Sequence, residues 1–398
     1  MSANYTVAVI FGSRSPEHEV SIVSALQVMD FLSKRHTVVP IYISKEGKWF
    51  TGDKLLKAAS YQNLDLKDPD LKPLVITPDP SFKVLKNPLG KGLLSKPKEI
   101  KIDIAFPVMH GLHGEDGTIQ GLLELANMPY VGSDQIASAV CIDKVITKLT
   151  LAGAGIPVLD YVWFTRLEWE AGEDRIVQKI EQKLGYPVII KPARLGSSIG
   201  ISVAKDVDEL RFNISVASHF DSKILVEPCL QDKIEVNCAV LGFEDPRPSI
   251  CEQPLSGGAL LSFEDKYLQG SSTQGMEGAK RIIPAPIGEA LTQKIQDLAV
   301  QAFKTVGARG IARIDFLLAP PTFGSPPSAG ETVYINEINT LPGSIAYYLW
   351  QPMGVSPQQL VDELLELGFR AHKEKNRSRF SQGPMLLANI DLLHLHKD

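Results

Sequence analysis

The chain opens on TVAVIFG (6–12), an apolar run closed by glycine, as expected of a strand buried on both faces. SPEHEVSIVSALQVMDFL follows, with Ile22, Ala25, Leu26, Met29 and Leu32 at helical spacing. Ser15 before Pro16 predicts an N-cap and a first-turn proline. HTVVPIYIS (36–44) and IDIAFPVMHG (102–111) read as further strands, so the first part of the chain alternates strand and helix as an open α/β domain does. Residues 51–101, rich in Lys, Pro and Asp, read as connections and a short hairpin. PYVGS (129–133) reads as a strand and turn leaving this domain.

DKVITKLTLAGAGIPVLDYVWF (143–164) predicts a helix stopped near Gly153–Gly155, then a strand. YPVIIKPARLGSSIGISVA (186–204) reads as strand, glycine loop, strand. KILVEPCL (223–230) and IEVNCAVLG (234–242) read as two strands with a turn between them. An amphipathic helix over 288–307 ends at Gly307. IARIDFLL (311–318) and VYINEIN (333–339) flank a Pro/Gly/Ser-rich loop and are expected to pair as a hairpin. SPQQLVDELLELGFRAHKEK predicts a last helix.

At 398 residues and 44% hydrophobic, the chain can bury a sizeable core and is expected to divide into two or three domains. A net charge of −5 and a pI of about 6.0 give no electrostatic reason to expect a nucleic-acid partner. Cys141, Cys229, Cys238 and Cys251 lack metal-ligand spacing and read as reduced core thiols. No apolar run approaches the roughly 20 residues of a membrane helix, and no signal peptide is apparent. A cytoplasmic protein without membrane partners is expected.

The strongest chemical signal interrupts a strand. Glu337 and Asn339 stand two apart in YINEIN, hence on one face, and a hairpin in register adds Asp315 from ARIDF. Two carboxylates and an amide are hard oxygen ligands of the kind Mg²⁺ takes beside nucleotide phosphates. Arg313, on the face of Asp315, could stabilise developing negative charge. The alternative is a buried polar network, which is costly without a cation or paired bases.

Other segments each admit two readings. KPARLGSSIG (191–200) sets Lys191 before a loop whose amides can turn toward an anion, or it is a plain hairpin turn with a surface lysine. Lys144, at a helix start, either meets a phosphate or is solvated surface charge. Glu227 and Glu235 suit adenine and ribose contacts or a solvated hairpin rim. In HGLHGEDG (110–117), His110 can face a ligand at the carboxyl end of a strand, while Glu115 and Asp116 can cap a helix beginning near Thr118. Glu17 is either a capping acid or a carboxylate for an ammonium group.

FGSRSPEHEVS, HGLHGEDGTIQG, IDK, KPARLGSSIGIS, ARIDF and NEINTLPG occur in this order. Taken jointly they resemble the D-alanine–D-alanine ligases of the ATP-grasp superfamily, from about residue 7 to about residue 365. The resemblance implies an α/β (α+β) fold: an N-terminal Rossmann-like substrate domain over 1–133, then a two-lobed ATP-grasp fold. Its lobes would be a central subdomain over 134–226 and a C-terminal subdomain over 227–375, with a tail over 376–398. It also implies that two D-alanines are joined through an acyl phosphate at the expense of ATP, for peptidoglycan precursor synthesis.

By the same resemblance, ATP is held by Lys144, Lys191, Ser198, Glu227, Glu235 and Lys266. Two Mg²⁺ ions, for which Mn²⁺ could substitute, sit on Asp315, Glu337 and Asn339. Glu17, Ser197 and Tyr267 form a hydrogen-bonded triad that holds the first D-alanine's ammonium group. Arg313 and Gly343 face the tetrahedral centre, and His110, Glu115, Tyr348 and Leu349 contact substrate. A homodimer is implied. Two positions depart from the family: Gly12-Ser13 stands where Gly-Gly is common after the first strand, and Tyr348 stands where a small hydroxyl residue is usual. Acceptors other than D-alanine (D-lactate, D-serine or another amino acid), or an inactive nucleotide-binding relative, are the alternatives.

Overall fold

The computed structural model describes residues 4–80, 84–86, 98–255, 281–319 and 332–378, and among them sixteen strands fall into three sheets. The first sheet is built from β1 (Thr6–Gly12), β2 (Thr37–Ile43), β3 (Trp49–Thr51), β4 (Lys72–Ile76), β5 (Val84–Lys86), β6 (Lys98–Ile100) and β7 (Ile104–Val108). Its spatial order is β6-β5-β4-β3-β2-β1-β7, with β1 parallel to both β2 and β7. Val7 to Phe11 are wholly buried, as the unbroken apolar run requires of a central parallel strand. The segment over 51–101, expected to be connections and a short hairpin, carries β4 to β6, which with β3 form an antiparallel extension of the sheet.

Helix α1 (His18–Ser33) starts later than the Ser-Pro pair predicts. Ser15 accepts the Glu17 amide at 3.1 Å and donates to the His110 carbonyl at 2.9 Å, so it ties the turn after β1 to the loop after β7. Helix α2 (Thr118–Leu125) follows that loop. Of the two acids that could cap it, Asp116 accepts the Thr118 amide at 3.0 Å from the position before the N-cap Gly117, while Glu115 accepts the Gly111 and Leu341 amides.

The second layer contains α3 (Gln135–Ile142), α4 (Lys144–Gly153), β8 (Val162–Thr165), α5 (Arg166–Ala171), α6 (Glu173–Lys183), β9 (Val188–Pro192), β10 (Ser202–Ala204), α7 (Val207–Phe220) and β11 (Lys223–Pro228). The strands form an antiparallel sheet in the order β10-β9-β11-β8. Asp143 caps α4 by accepting the Val145 and Ile146 amides, which fixes Lys144 as its first residue.

The third sheet runs β14 (Arg281–Ile282), β13 (Arg247–Pro254), β12 (Ile234–Gly242), β15 (Gly310–Ala319), β16 (Thr332–Asn339) in space, and α8 (Glu289–Thr305) packs on it. The hairpin expected of β15 and β16 is present and antiparallel. The turn expected between β11 and β12 joins no hairpin. β11 pairs with β8 and β9, while β12 pairs with β13 and β15, so the chain crosses there from one sheet to another. A 3-10 turn over Gly343–Leu349 and helix α9 (Pro357–Lys375) then fold back onto the first sheet. Tyr347, Tyr348, Leu349, Trp350, Leu360 and Leu364 share one apolar core with Val9, Phe11 and Val28. The aromatic cluster after Pro342 is therefore what docks the third sheet on the first.

Candidate active site

A row of polar residues crosses the third sheet from strand to strand. Glu252 on β13 stands opposite Asn237 on β12, Asn237 opposite Asp315 on β15, and Asp315 opposite Glu337 on β16. Directly opposed residues share a face, so the expected pairing of Asp315 with Glu337 holds in register. Arg313 grips Asp315 two-pronged, Nε and Nη2 each 2.7 Å from a carboxylate oxygen, and Asn339 donates to the same carboxylate at 3.1 Å. Burial alone would lower the Arg313 pKa, but Asp315 beside it holds it well above its ordinary value.

Opposite this row stand the two lysines. Lys144 is buried; its Nζ donates to the Leu195 carbonyl at 2.7 Å and lies 3.4 Å from Glu337. The surface-charge reading of Lys144 is thus overturned. Lys191, also buried, donates to Asn336 at 3.0 Å and lies 2.6 Å from Glu227. Glu227 is wholly buried, and its other oxygen meets Lys148 at 2.5 Å. Burial alone would raise the Glu227 carboxyl, but Lys191 and Lys148 outweigh it and hold it down at about 2. The solvated-rim reading of Glu227 fails for the same reason. Glu235 lies on β12 with Lys233 at 2.8 Å and keeps 29% of its side chain exposed.

The glycine loop after β9 closes on the first sheet. Ser197 donates its hydroxyl to the Glu17 carboxylate, and Ser197 and Ser198 both adopt left-handed backbone. Gly111 and Gly196 crowd the same carboxylate, where a Cβ at either position would press on its oxygens. Glu115 accepts the Gly111 amide at 2.9 Å and the Leu341 amide at 3.1 Å, which binds this loop to the turn after β16. Burial, with the Glu17 charge nearby, raises the Glu115 carboxyl to about 8.

His110 is buried and pairs its Nε2 with Ser24 at 2.9 Å; the Ser344 amide donates to that serine at 3.3 Å. Burial lowers the His110 pKa to about 4, so the ring is neutral. Gly343 opens the turn that carries Tyr348 and Leu349, and Leu349 is wholly buried in the core. The Tyr348 hydroxyl donates to Glu252 at 3.1 Å. Lys266 and Tyr267 lie outside the described residues.

Two descriptions of known domains match this chain: "D-ala D-ala ligase N-terminus" over residues 6–133 and "D-ala D-ala ligase C-terminus" over residues 150–366. A D-alanine–D-alanine ligase of Thermosipho melanesiensis is 38% identical over 374 residues, covering 93% of this chain and 95% of the relative. The chain belongs to the D-alanine–D-alanine ligase family. Among solved structures, the ligase of Coxiella burnetii is similar at 28% identity and a TM-score of 0.76, covering 94% of this chain and 98% of that one. The VanG D-Ala:D-Ser ligase of Enterococcus faecalis is similar at 32% identity and a TM-score of 0.76, covering 92% and 100%. The fold is the mixed α/β one of these ligases, as expected.

Sequence reasoning passed over five side chains that the ligase fold gathers here: Lys148, Asn237, Glu252, Arg281 and Asn336. Lys148 had a signal, since it follows Lys144 by four residues on one helix and shares its face. Asn237 and Glu252 had none, because strand pairing alone brings them beside Asp315.

Proposed function

We propose that this protein is an ATP-dependent D-alanine–D-alanine ligase, and one relationship carries the reading. Lys144 and Lys191 converge with the Asp315–Glu337 pair on the ground between the second and third sheets, while Glu17 and Ser197 lie at the carboxyl end of β1. Cations and hard oxygen donors thus face each other, as phosphoryl transfer from a nucleotide needs.

In this reading Glu17, steered by Ser197, takes the ammonium group of the first D-alanine. Its carboxylate oxygen attacks the γ-phosphorus of ATP, a P–O bond to the β-phosphate breaks, and ADP leaves. The amine of the second D-alanine then attacks the acyl carbon, loses a proton, and expels phosphate as the C–O bond breaks. Lys144 and Lys191 balance phosphate charge, and Ser198 and the backbone amides of its loop serve as further phosphate donors. Arg313 and the backbone at Gly343 stabilise the acyl oxygen. Glu227 and Glu235 serve the adenosine end; Glu227 also orients Lys191. His110 and Glu115 shape the substrate pocket from behind, with Tyr348 on the acceptor side. Lys266 and Tyr267 complete the family pattern.

Asp315, Glu337 and Asn339 fit Mg²⁺ by donor chemistry, as two carboxylates and an amide are hard ligands. Among the described residues no third carboxylate, His or Cys joins them, so phosphate oxygens and water must complete the shell. Two Mg²⁺ ions, exchangeable for Mn²⁺, would neutralise the transferring phosphate when bound. Synthesis of a cell-wall precursor from D-alanine and ATP places the protein in the cytoplasm, and a homodimer is the expected assembly, readable by light scattering.

The test is direct. The protein is incubated with ATP, Mg²⁺ and D-alanine, alone and with D-serine or D-lactate, and ADP and product masses are measured. D-Alanyl-D-alanine with matching ADP is the expected result. ADP formation only with another acceptor, or none at all, would overturn the reading.

A further inference from the structure

The polar row extends past the residues that the reaction uses, and its far end is an acid that is only 2% exposed, Glu252. Burying a carboxylate is costly unless donors meet it. Three do. Asn237 and the Tyr348 hydroxyl donate to Oε1 at 3.0 and 3.1 Å, and Arg281 donates to Oε2 at 3.2 Å. Arg281 also lays its guanidinium over the Tyr348 ring, 4.0 Å from the centroid.

Arg313, the cation that grips Asp315, stands near enough for its charge to act on the Tyr348 hydroxyl. Burial, then the Glu252 charge, push its hydroxyl up to about 12, so the phenol stays protonated. A phenol has one proton to donate, and here it goes to Glu252. Toward the reaction side Tyr348 therefore offers a ring and lone pairs, and the donors beside it are guanidinium groups.

We propose that Glu252 is a positioning residue for the acceptor half of the site. It accepts the hydrogen bond of the Tyr348 hydroxyl and clamps Arg281 against the Tyr348 ring. A fixed Tyr–Arg wall results, in which the Arg281 guanidinium, and not the Tyr348 hydroxyl, meets the carboxylate of the acceptor amino acid. This rests on the ligase reading above and narrows it to one residue's control of acceptor binding.

The experiment compares wild type with Glu252→Gln, Arg281→Met and Tyr348→Phe. Rates are followed against D-alanine, fitted to two successive sites, and against ATP, with melting temperatures recorded alongside. Glu252→Gln and Arg281→Met are expected to raise the acceptor KM about tenfold, the effect of a lost charge-assisted hydrogen bond, while the ATP KM stays within about twofold. Tyr348→Phe is expected to raise the acceptor KM by less than about threefold, since its proton points away from substrate.

Three results would overturn the proposal. One is Tyr348→Phe carrying the largest acceptor effect. Another is an unchanged acceptor KM in Glu252→Gln and Arg281→Met. The third is Glu252→Gln lowering every constant and the melting temperature together, as a structural residue would. If Glu252→Gln does not fold, the contrast between Arg281→Met and Tyr348→Phe still decides. Wild type that makes no dipeptide refutes the ligase reading instead.

Discussion

Lys148 and Glu227 meet at 2.5 Å with 1% and 0% of their side chains exposed, an ion pair shut inside the protein. Lys191 reaches the other carboxylate oxygen, so one acid orients two cations. Removing the shared acid leaves two buried ammonium groups without compensation. Glu227→Gln is expected to lower the unfolding free energy by about 3 kcal/mol. A Lys148→Met/Glu227→Gln double variant should recover part of that loss, since only one uncompensated ammonium group, that of Lys191, remains. Urea unfolding of both variants checks this, and a double variant no more stable than the single one would refute it.

Glu115 and Glu227 give stability opposite dependences on pH. Glu115 ionises near 4.5 when unfolded and at about 8 when folded. Between those values the folded chain holds a proton that the unfolded chain has released, so stability falls as pH rises from about 4.5 to 8. Glu227 drops from 4.5 to about 2 on folding, so its contribution is full above 4.5 and is lost as pH falls toward 2. Melting temperatures across pH 3–8 are the measurement. Glu115→Gln should gain on wild type progressively between about pH 5 and 8 while leaving the acid limb unchanged.

Glu337 faces Asp315 across the hairpin and lies 3.4 Å from Lys144. Glu337→Gln keeps the shape and removes the charge. ADP release in the presence of D-alanine is expected to fall by about 10²-fold or more, with little change in melting temperature. A variant that retains wild-type turnover would remove Glu337 from the reaction.

Gly111 sits at φ +69° with the Glu17 carboxylate against the position of a Cβ. Gly111→Ala meets strain and crowding at once. A loss of about 1–2 kcal/mol of stability is expected, with a raised KM for D-alanine and an ATP KM near wild type. Steady-state kinetics separate the two constants, and equal rises in both would contradict the placement of Glu17 on the D-alanine side.

The sequence by itself determined the elements and the reaction class. Apolar runs set β1, β2 and β7, and helical spacing set α1, α4, α8 and α9. The period of two placed Glu337 and Asn339 on one face, and the hairpin supplied Asp315, because both relations are local and short-range. Ordered motifs then pointed to the ligase family.

Tertiary structure decided the partners. Periodicity says which face a side chain takes, but not which distant strand stands opposite it. For that reason β11 and β12 read as one hairpin and fold into two sheets. Glu227 consequently lies wholly buried between Lys148 and Lys191, while Glu235 stays partly exposed on β12. The same limit applies to Tyr348. The resemblance makes Tyr348 a substrate contact, and only the tertiary structure sets Glu252 where it accepts the hydrogen bond of the Tyr348 hydroxyl.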